Sequence, residues 1–209
     1  NLAWQPLFHK EQQNVNRLEI FSTIATQFLA FMILVGGLIS IWLPLIVQIP
    51  IGGGHTLIGK DFWGSINIIP IIILSYIFYA AYILQMPSLY DGKNQKWSPI
   101  LRGLGAAINI GLNVLLIPKY GGMGAAIATL LAYSIMFLAL FMLNRKWFPI
   151  SFNYGRILLL LSICIMGFYY VSINPDEVAW RFLTSIIIIS GGFPLLKSLY
   201  KNQIQNSLT

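Results

Sequence analysis

Charge is confined to short segments of this chain, and the stretches between them are long and almost uncharged. A segment that crosses the hydrocarbon core of a bilayer needs about 20 mostly apolar residues. Six stretches meet or approach that length: 18–46, 66–89, 99–117, 122–143, 155–173 and 179–196. Only 9% of the residues are charged and 57% are hydrophobic, against about 25% charged in an ordinary soluble domain. Mean hydropathy is +0.73. These values exclude a soluble globular domain. The fold class expected is all-α, a polytopic transmembrane bundle of six spans.

The breaks between the spans carry turn chemistry. Ile51-Gly-Gly-Gly-His55 is a flexible glycine run and 91–96 a polar turn; 118–121 is a tight turn, and 144–146 and 174–177 complete the set. Residues 1–17 read as a cytoplasmic lead-in following an earlier helix, and 197–209 as a cytoplasmic tail. The chain begins at Asn1 with no signal-peptide pattern, which reads as a start inside a longer protein. Cys164 stands in an apolar run and has no partner for an internal disulfide, being the one cysteine; it reads as a small apolar side chain.

Short positively charged loops stay cytoplasmic. Lys10, Arg17, Lys93, Lys96, Arg102, Arg145, Lys146, Arg156, Lys197 and Lys201 fall on one side, and only Lys60, Lys119 and Arg181 on the other. The asymmetry alternates loop by loop, so both ends of the chain are expected in the cytoplasm. The net charge of +7 then reads as a topology signal and implies no nucleic-acid partner.

The third and fourth stretches are the most informative. Arg102, Asn109 and Asn113 are spaced by seven and four and share one helix face. Such residues in hydrocarbon face a cavity or find a partner. They either line a polar substrate path, or the asparagines bond a neighbouring helix while Arg102 snorkels to the surface. Gly103, Ala107 and Gly111 lie on another face, and Gly121, Ala125, Ala128 and Ala132 repeat the device in the next span. Small residues at that spacing let helix backbones approach closely in lipid. The expectation is a tight helix pair joined through Pro118 and Gly121, one face packed and the other offering polar groups to an interior. In the second span Ser75, Tyr79, Tyr82 and Met86 form a weaker stripe with Gln85 beside it. Tyr79 and Gln85 are further candidates for the path, or else packing residues. Pro44, Pro70, Pro87 and Pro194 lie within or at the edges of spans and mark possible kinks.

No catalytic constellation emerges, so the chain is expected not to be an enzyme. His9 and His55 have no cysteine or carboxylate at ligand spacing, and neither a metal nor a cofactor is expected. All six acids fall in loops or at span edges, which offers no mid-membrane ion-coupling site. The Gly52-Gly-Gly54 run lacks the Lys-Ser/Thr of a P-loop.

One block resembles a known family. The run from Trp97 to Thr129 has Asn109 and Asn113 in a helix, then the Ile117-Pro-Lys-Tyr-Gly121 turn, then Gly124-Ala-Ala-Ile-Ala-Thr129. It looks like the C-terminal half of Wzx-type polysaccharide flippases of the MOP (MATE-like) superfamily. Ala3-Trp-Gln-Pro6 and Phe62-Trp63 through Ile69-Pro-Ile-Ile-Ile73 resemble further segments of the same proteins. The resemblance implies the C-terminal bundle of a 12–14-helix inner-membrane transporter. Such a protein passes undecaprenyl-diphosphate-linked oligosaccharide across the membrane by alternating access without ATP, for polysaccharide, O-antigen or lipopolysaccharide biosynthesis. Implied partners are the lipid-linked oligosaccharide, membrane lipid, the N-terminal bundle of the full-length protein and other polysaccharide-assembly proteins. It also implies that Pro118, Gly121, Gly124, Ala125 and Ala128 form a turn and packing motif.

Three other readings compete. A MATE-type multidrug or metabolite exporter would favour a mid-membrane carboxylate, which these residues lack. A membrane-embedded glycan-assembly enzyme needs a large outer loop, and the outer loops here are short. A structural subunit lacks only an explanation of the motif.

Overall fold

The computed structural model describes residues 4–11, 14–90, 93–174 and 177–207; side chains are described throughout these except at 4, 5, 7 and 194–207. The chain is almost wholly helical. A short helix α1 (Trp4–Glu11) precedes α2 (Arg17–Ile46). A small hairpin of β1 (Pro50–Gly52) and β2 (His55–Thr56) and a 3₁₀ segment (Lys60–Ile68) lead into α3 (Ile69–Leu84). Then come α4 (Trp97–Tyr120), α5 (Gly122–Trp147), α6 (Tyr154–Ile173) and α7 (Val178–Ser207).

Five helical stretches are long and apolar enough to cross a membrane: Arg17–Ile46, Lys60–Leu84, Trp97–Tyr120, Gly122–Trp147 and Tyr154–Ile173. Several apolar helices of this length make a multi-pass membrane protein. The sixth stretch, read from the sequence at 179–196, lies in α7, whose apolar part among the described side chains is the shorter Val178–Phe193. Helix α7 continues to Ser207, through the residues read as a tail; the side chains of that tail, and Pro194, lie outside the described set. The second stretch, expected at 66–89, breaks early. Its α-helix stops at Leu84 and a buried 3₁₀ turn, Met86–Leu89, follows. Pro87 has no N–H to continue the ladder, which ends the helix a turn before the apolar run does.

The residues divide into two compact units. One comprises 1–25 and 71–152. Its core joins Tyr82, Met86 and Leu89 to Leu101 of α4 and to Met136 and Leu140 of α5. At one end Phe8, Phe21 and Phe148 meet at centroid separations of 5.7–6.1 Å, and the Ser151 N–H donates to Ser22 Oγ.

The other unit comprises 26–70 and 153–209. Here α2 packs on α6 and α7 through residues with little or no side chain. A Cβ on Gly37 would stand 2.6 Å from Cys164 Sγ, and one on Gly192 would stand 2.6 Å from Leu34 Cδ1. Small residues replace the hydrophobic drive that lipid removes. Cys164 is buried and bonds weakly to the Ile33 carbonyl.

Candidate substrate path and helix seams

The α4–α5 hairpin gathers most of the residues singled out from the sequence. In α5 the buried positions Gly124, Ala128, Ala132, Met136, Leu140 and Asn144 recur every fourth residue, and so form one continuous stripe. Leu101 and Gly105 are the buried residues of α4. The Met136 side chain occupies the space a Cβ on Gly105 would need. At the turn, a Cβ on Gly124 would stand 2.5 Å from the Leu116 carbonyl oxygen, so backbone touches backbone there. Gly121 makes the reversal at φ +54°, ψ −134°, a conformation essentially restricted to glycine. Pro118 occupies the last turn of α4, where the freed carbonyl is close to the helix end.

The small-residue face expected to pack is not the one that does. Gly103, Ala107 and Gly111 are exposed, and a Cβ at Gly103 or Gly111 would meet nothing within 4 Å. The polar face turns inward instead. Asn113 Nδ2 donates to Asn109 Oδ1 at 3.0 Å, and Asn109 Nδ2 donates to Thr129 Oγ1 of α5 at 3.3 Å. Thr129 in turn donates to the Ala125 carbonyl at 2.9 Å. The reason is the cost of an unpaired amide in an apolar setting: α4 settles with its asparagines toward the neighbouring hydroxyl. One acceptor, Asn113 Oδ1, ends the ladder buried and without a partner. Thr129 was not among the residues picked from the sequence as path residues. Its signal was the asparagine pair, which needs a donor-acceptor group on whichever helix faces it.

Arg102 is exposed at the start of α4. The Tyr82 and Tyr90 hydroxyls are buried with no hydrogen-bond partner, and the charge of Arg102 acts on both electrostatically. Burial pushes the Tyr90 hydroxyl above its ordinary pKa, and Arg102 partly opposes that rise. Tyr79 is half-buried in an aromatic ladder, 6.1 Å from Tyr82 and 4.8 Å from Tyr133 of α5, with Tyr76 5.9 Å from Tyr133. Tyr133 lies one turn beyond Thr129, so α5 carries both the amide ladder and the tyrosine ladder along one side.

Gln85 is fully buried where α3 ends. Its Nε2 donates to the Ala81 carbonyl at 3.3 Å, while its own carbonyl accepts from Ser88 Oγ and from Asn144 Nδ2, the latter at 2.8 Å. Gln85 therefore ties the broken end of α3 to α5. Asn144 was read as part of a polar break, yet it is buried and closes the α5 stripe.

In the second unit Arg181 departs most from its sequence reading. Counted there as an outer-side charge, it is buried in α7. Its Nη1 donates to the Ile41 carbonyl of α2, tying α7 to the last turns of that helix. Beside it Trp42 Nε1 donates to Ser185 Oγ at 2.9 Å, and the Trp42 and Phe182 rings meet edge to face at 4.8 Å. Between α6 and α7 lies an almost wholly apolar groove of about 440 Å³, lined by Ile163, Met166, Gly167, Trp180, Leu183 and Ile187 among others.

Among the described residues no carboxylate is buried, and no three or more His, Cys, Asp or Glu side chains gather as metal ligands. His9 and His55 are exposed. Compared with known proteins, the chain matches no family model, no curated protein and no solved structure.

Proposed function

We propose that the chain is the C-terminal part of an inner-membrane flippase. It would move undecaprenyl-diphosphate-linked oligosaccharide by alternating access, without ATP and without acting as an enzyme. The observation that carries this reading is the half-buried polar stripe of Asn113, Asn109 and Thr129, even though its amides also bond the neighbouring helix. It is built from the same block that resembles the polysaccharide flippases, and it runs inside two helices apolar enough to span a membrane. A large polar headgroup needs amide and hydroxyl groups along its way, while a polyprenyl tail can remain in lipid. Arg102, exposed near the start of α4, supplies a cation suited to a diphosphate.

The test is complementation. The parent gene, with the first bundle that the resemblance implies, is expressed in a strain lacking its polysaccharide flippase. Surface polysaccharide is expected to return, and to be lost again in the Asn109→Leu, Asn113→Leu double variant at equal membrane abundance. Lipid-linked sugar that still accumulates on the cytoplasmic face, despite good expression of the unsubstituted protein, would overturn the proposal.

A further inference from the structure

Between α2 and α3 the chain makes a structured excursion that the transport reading leaves unused. The hairpin is well tied. The Leu57 N–H donates to the Ile49 carbonyl at 2.8 Å, and the Ile58 N–H to the Val47 carbonyl at 3.2 Å. Thr56 Oγ1 and Trp63 Nε1 both donate to the Ile58 carbonyl, at 2.7 and 2.9 Å. Gly52, Gly53 and Gly54 turn the tip at φ +99°, +62° and +78°. A hairpin held this firmly presents a fixed set of side chains, and they are apolar. Ile49 is 50% exposed, Ile51 61%, Leu57 50% and Phe62 68%. In a loop surrounded by water that display is unfavourable, because apolar surface left in water forfeits the stabilisation of burial.

The tether says what covers it. One end leaves α2 at Ile46, the end of a candidate span, and the other enters the next at Lys60. Strand β1 is three residues long, and at about 3.3 Å per residue it carries the tip only about 10 Å. The whole hairpin is thus held beside the point where two spans leave the hydrocarbon. Trp63 and Lys60 stand at its base. An indole with one polar edge and a lysine with an apolar stem are residue types suited to the headgroup boundary. Asp61 is the one acid between Val47 and Ser65, and Lys60 offsets it, so the loop carries no net charge to repel a phospholipid surface.

We propose that the 47–62 hairpin is an interfacial anchor, its Ile49, Ile51, Leu57 and Phe62 side chains seated in the headgroup–acyl boundary of the leaflet on its side. Its partner is phospholipid. The inference rests on the membrane-spanning reading of the helices but on no particular substrate or orientation. Apolar groups of interfacial elements enter about 5–10 Å into the headgroup–acyl boundary, and the anchor would fix how far α2 and the following span can slide or tilt.

The experiment places a nitroxide on Ile51→Cys, Phe62→Cys, Lys93→Cys and Met166→Cys variants of the full chain. The labelled proteins are held in phosphatidylcholine–phosphatidylglycerol nanodiscs, where both faces are open to reagents. Cys164 is buried, and the unsubstituted chain gives the labelling blank. Collision with oxygen, which partitions into lipid, is compared with collision with a water-soluble nickel chelate. Labels at 51 and 62 are expected to favour oxygen several-fold more than the label at the exposed polar position 93. Chelate access at 51 and 62 equal to that at 93, with the label at Met166 still lipid-exposed, would overturn the anchor alone. Immobile labels at 51 and 62 shielded from both reagents would overturn it in favour of a protein partner. An aqueous label at Met166, a side chain 71% exposed on α6, would overturn the membrane reading and the anchor with it.

Discussion

Three glycines of the α4–α5 hairpin differ in what a methyl group would meet. At Gly124 it would press on the Leu116 carbonyl, which is backbone and has nowhere to move. At Gly103 and Gly111 it would meet nothing within 4 Å. Overpacking a close contact costs about 1–3 kcal/mol, whereas Gly→Ala in an open helical position is stabilising by about 0.5–1 kcal/mol. Gly124→Ala is therefore expected to lower the thermal midpoint of the detergent-solubilised protein, and Gly103→Ala or Gly111→Ala to leave it level or raise it. The opposite order would mean that the Gly103–Gly111 face is the seam after all. All three glycines look alike in the sequence, each four residues from another small residue. Spacing reveals that a face exists but not which neighbour it meets.

At the scale of elements, side chains from distant helices bond carbonyls near the ends of α2 and α3. The end of α3 is one case. Pro87 breaks the ladder, and Asn144 of α5 supplies a donor to the Gln85 carbonyl at 2.8 Å. Ser88 donates to the same oxygen, so losing Asn144 weakens the group without stripping it. Asn144→Ala is expected to cost about 1 kcal/mol and to raise amide hydrogen exchange in 85–90 ahead of exchange in the middle of α4. Equal protection in Asn144→Ala and in the unsubstituted protein would show that the α3 end is held by Ser88 and packing alone. In α2, which continues through Pro44, Arg181 of α7 donates to the Ile41 carbonyl one turn before the helix ends. Both prolines were legible as possible kinks within spans. Asn144 and Arg181 lie 59 and 140 residues away from the Gln85 and Ile41 carbonyls they serve, and local reading has no access to such pairings.

At the scale of the whole molecule, the alternating Lys/Arg count makes a statement about orientation that packing inside the chain does not touch. A reporter fused after Thr209 is expected to be active only in the cytoplasm, because the ten-residue side carries that end. Activity restricted to the other face would invert the topology and would move the 47–62 hairpin to the cytoplasmic leaflet without altering its fit to a lipid boundary.

What the sequence by itself determined was the solvent and the class of fold. Runs such as 18–46 and 122–143 leave a backbone in hydrocarbon no partner but itself, and a helix satisfies every group within one segment. The break at Gly121 and the asparagine pair at Asn109 and Asn113 were equally plain, because each depends on residues within a few positions of one another. Which face of α4 turns toward α5, where α3 stops, and what Arg181 reaches were decided only by the tertiary structure. Those outcomes rest on small differences between competing packings. In this chain the cost of leaving an amide or a carbonyl unpaired in an apolar interior outweighed the attraction of an equally regular stripe of glycine and alanine.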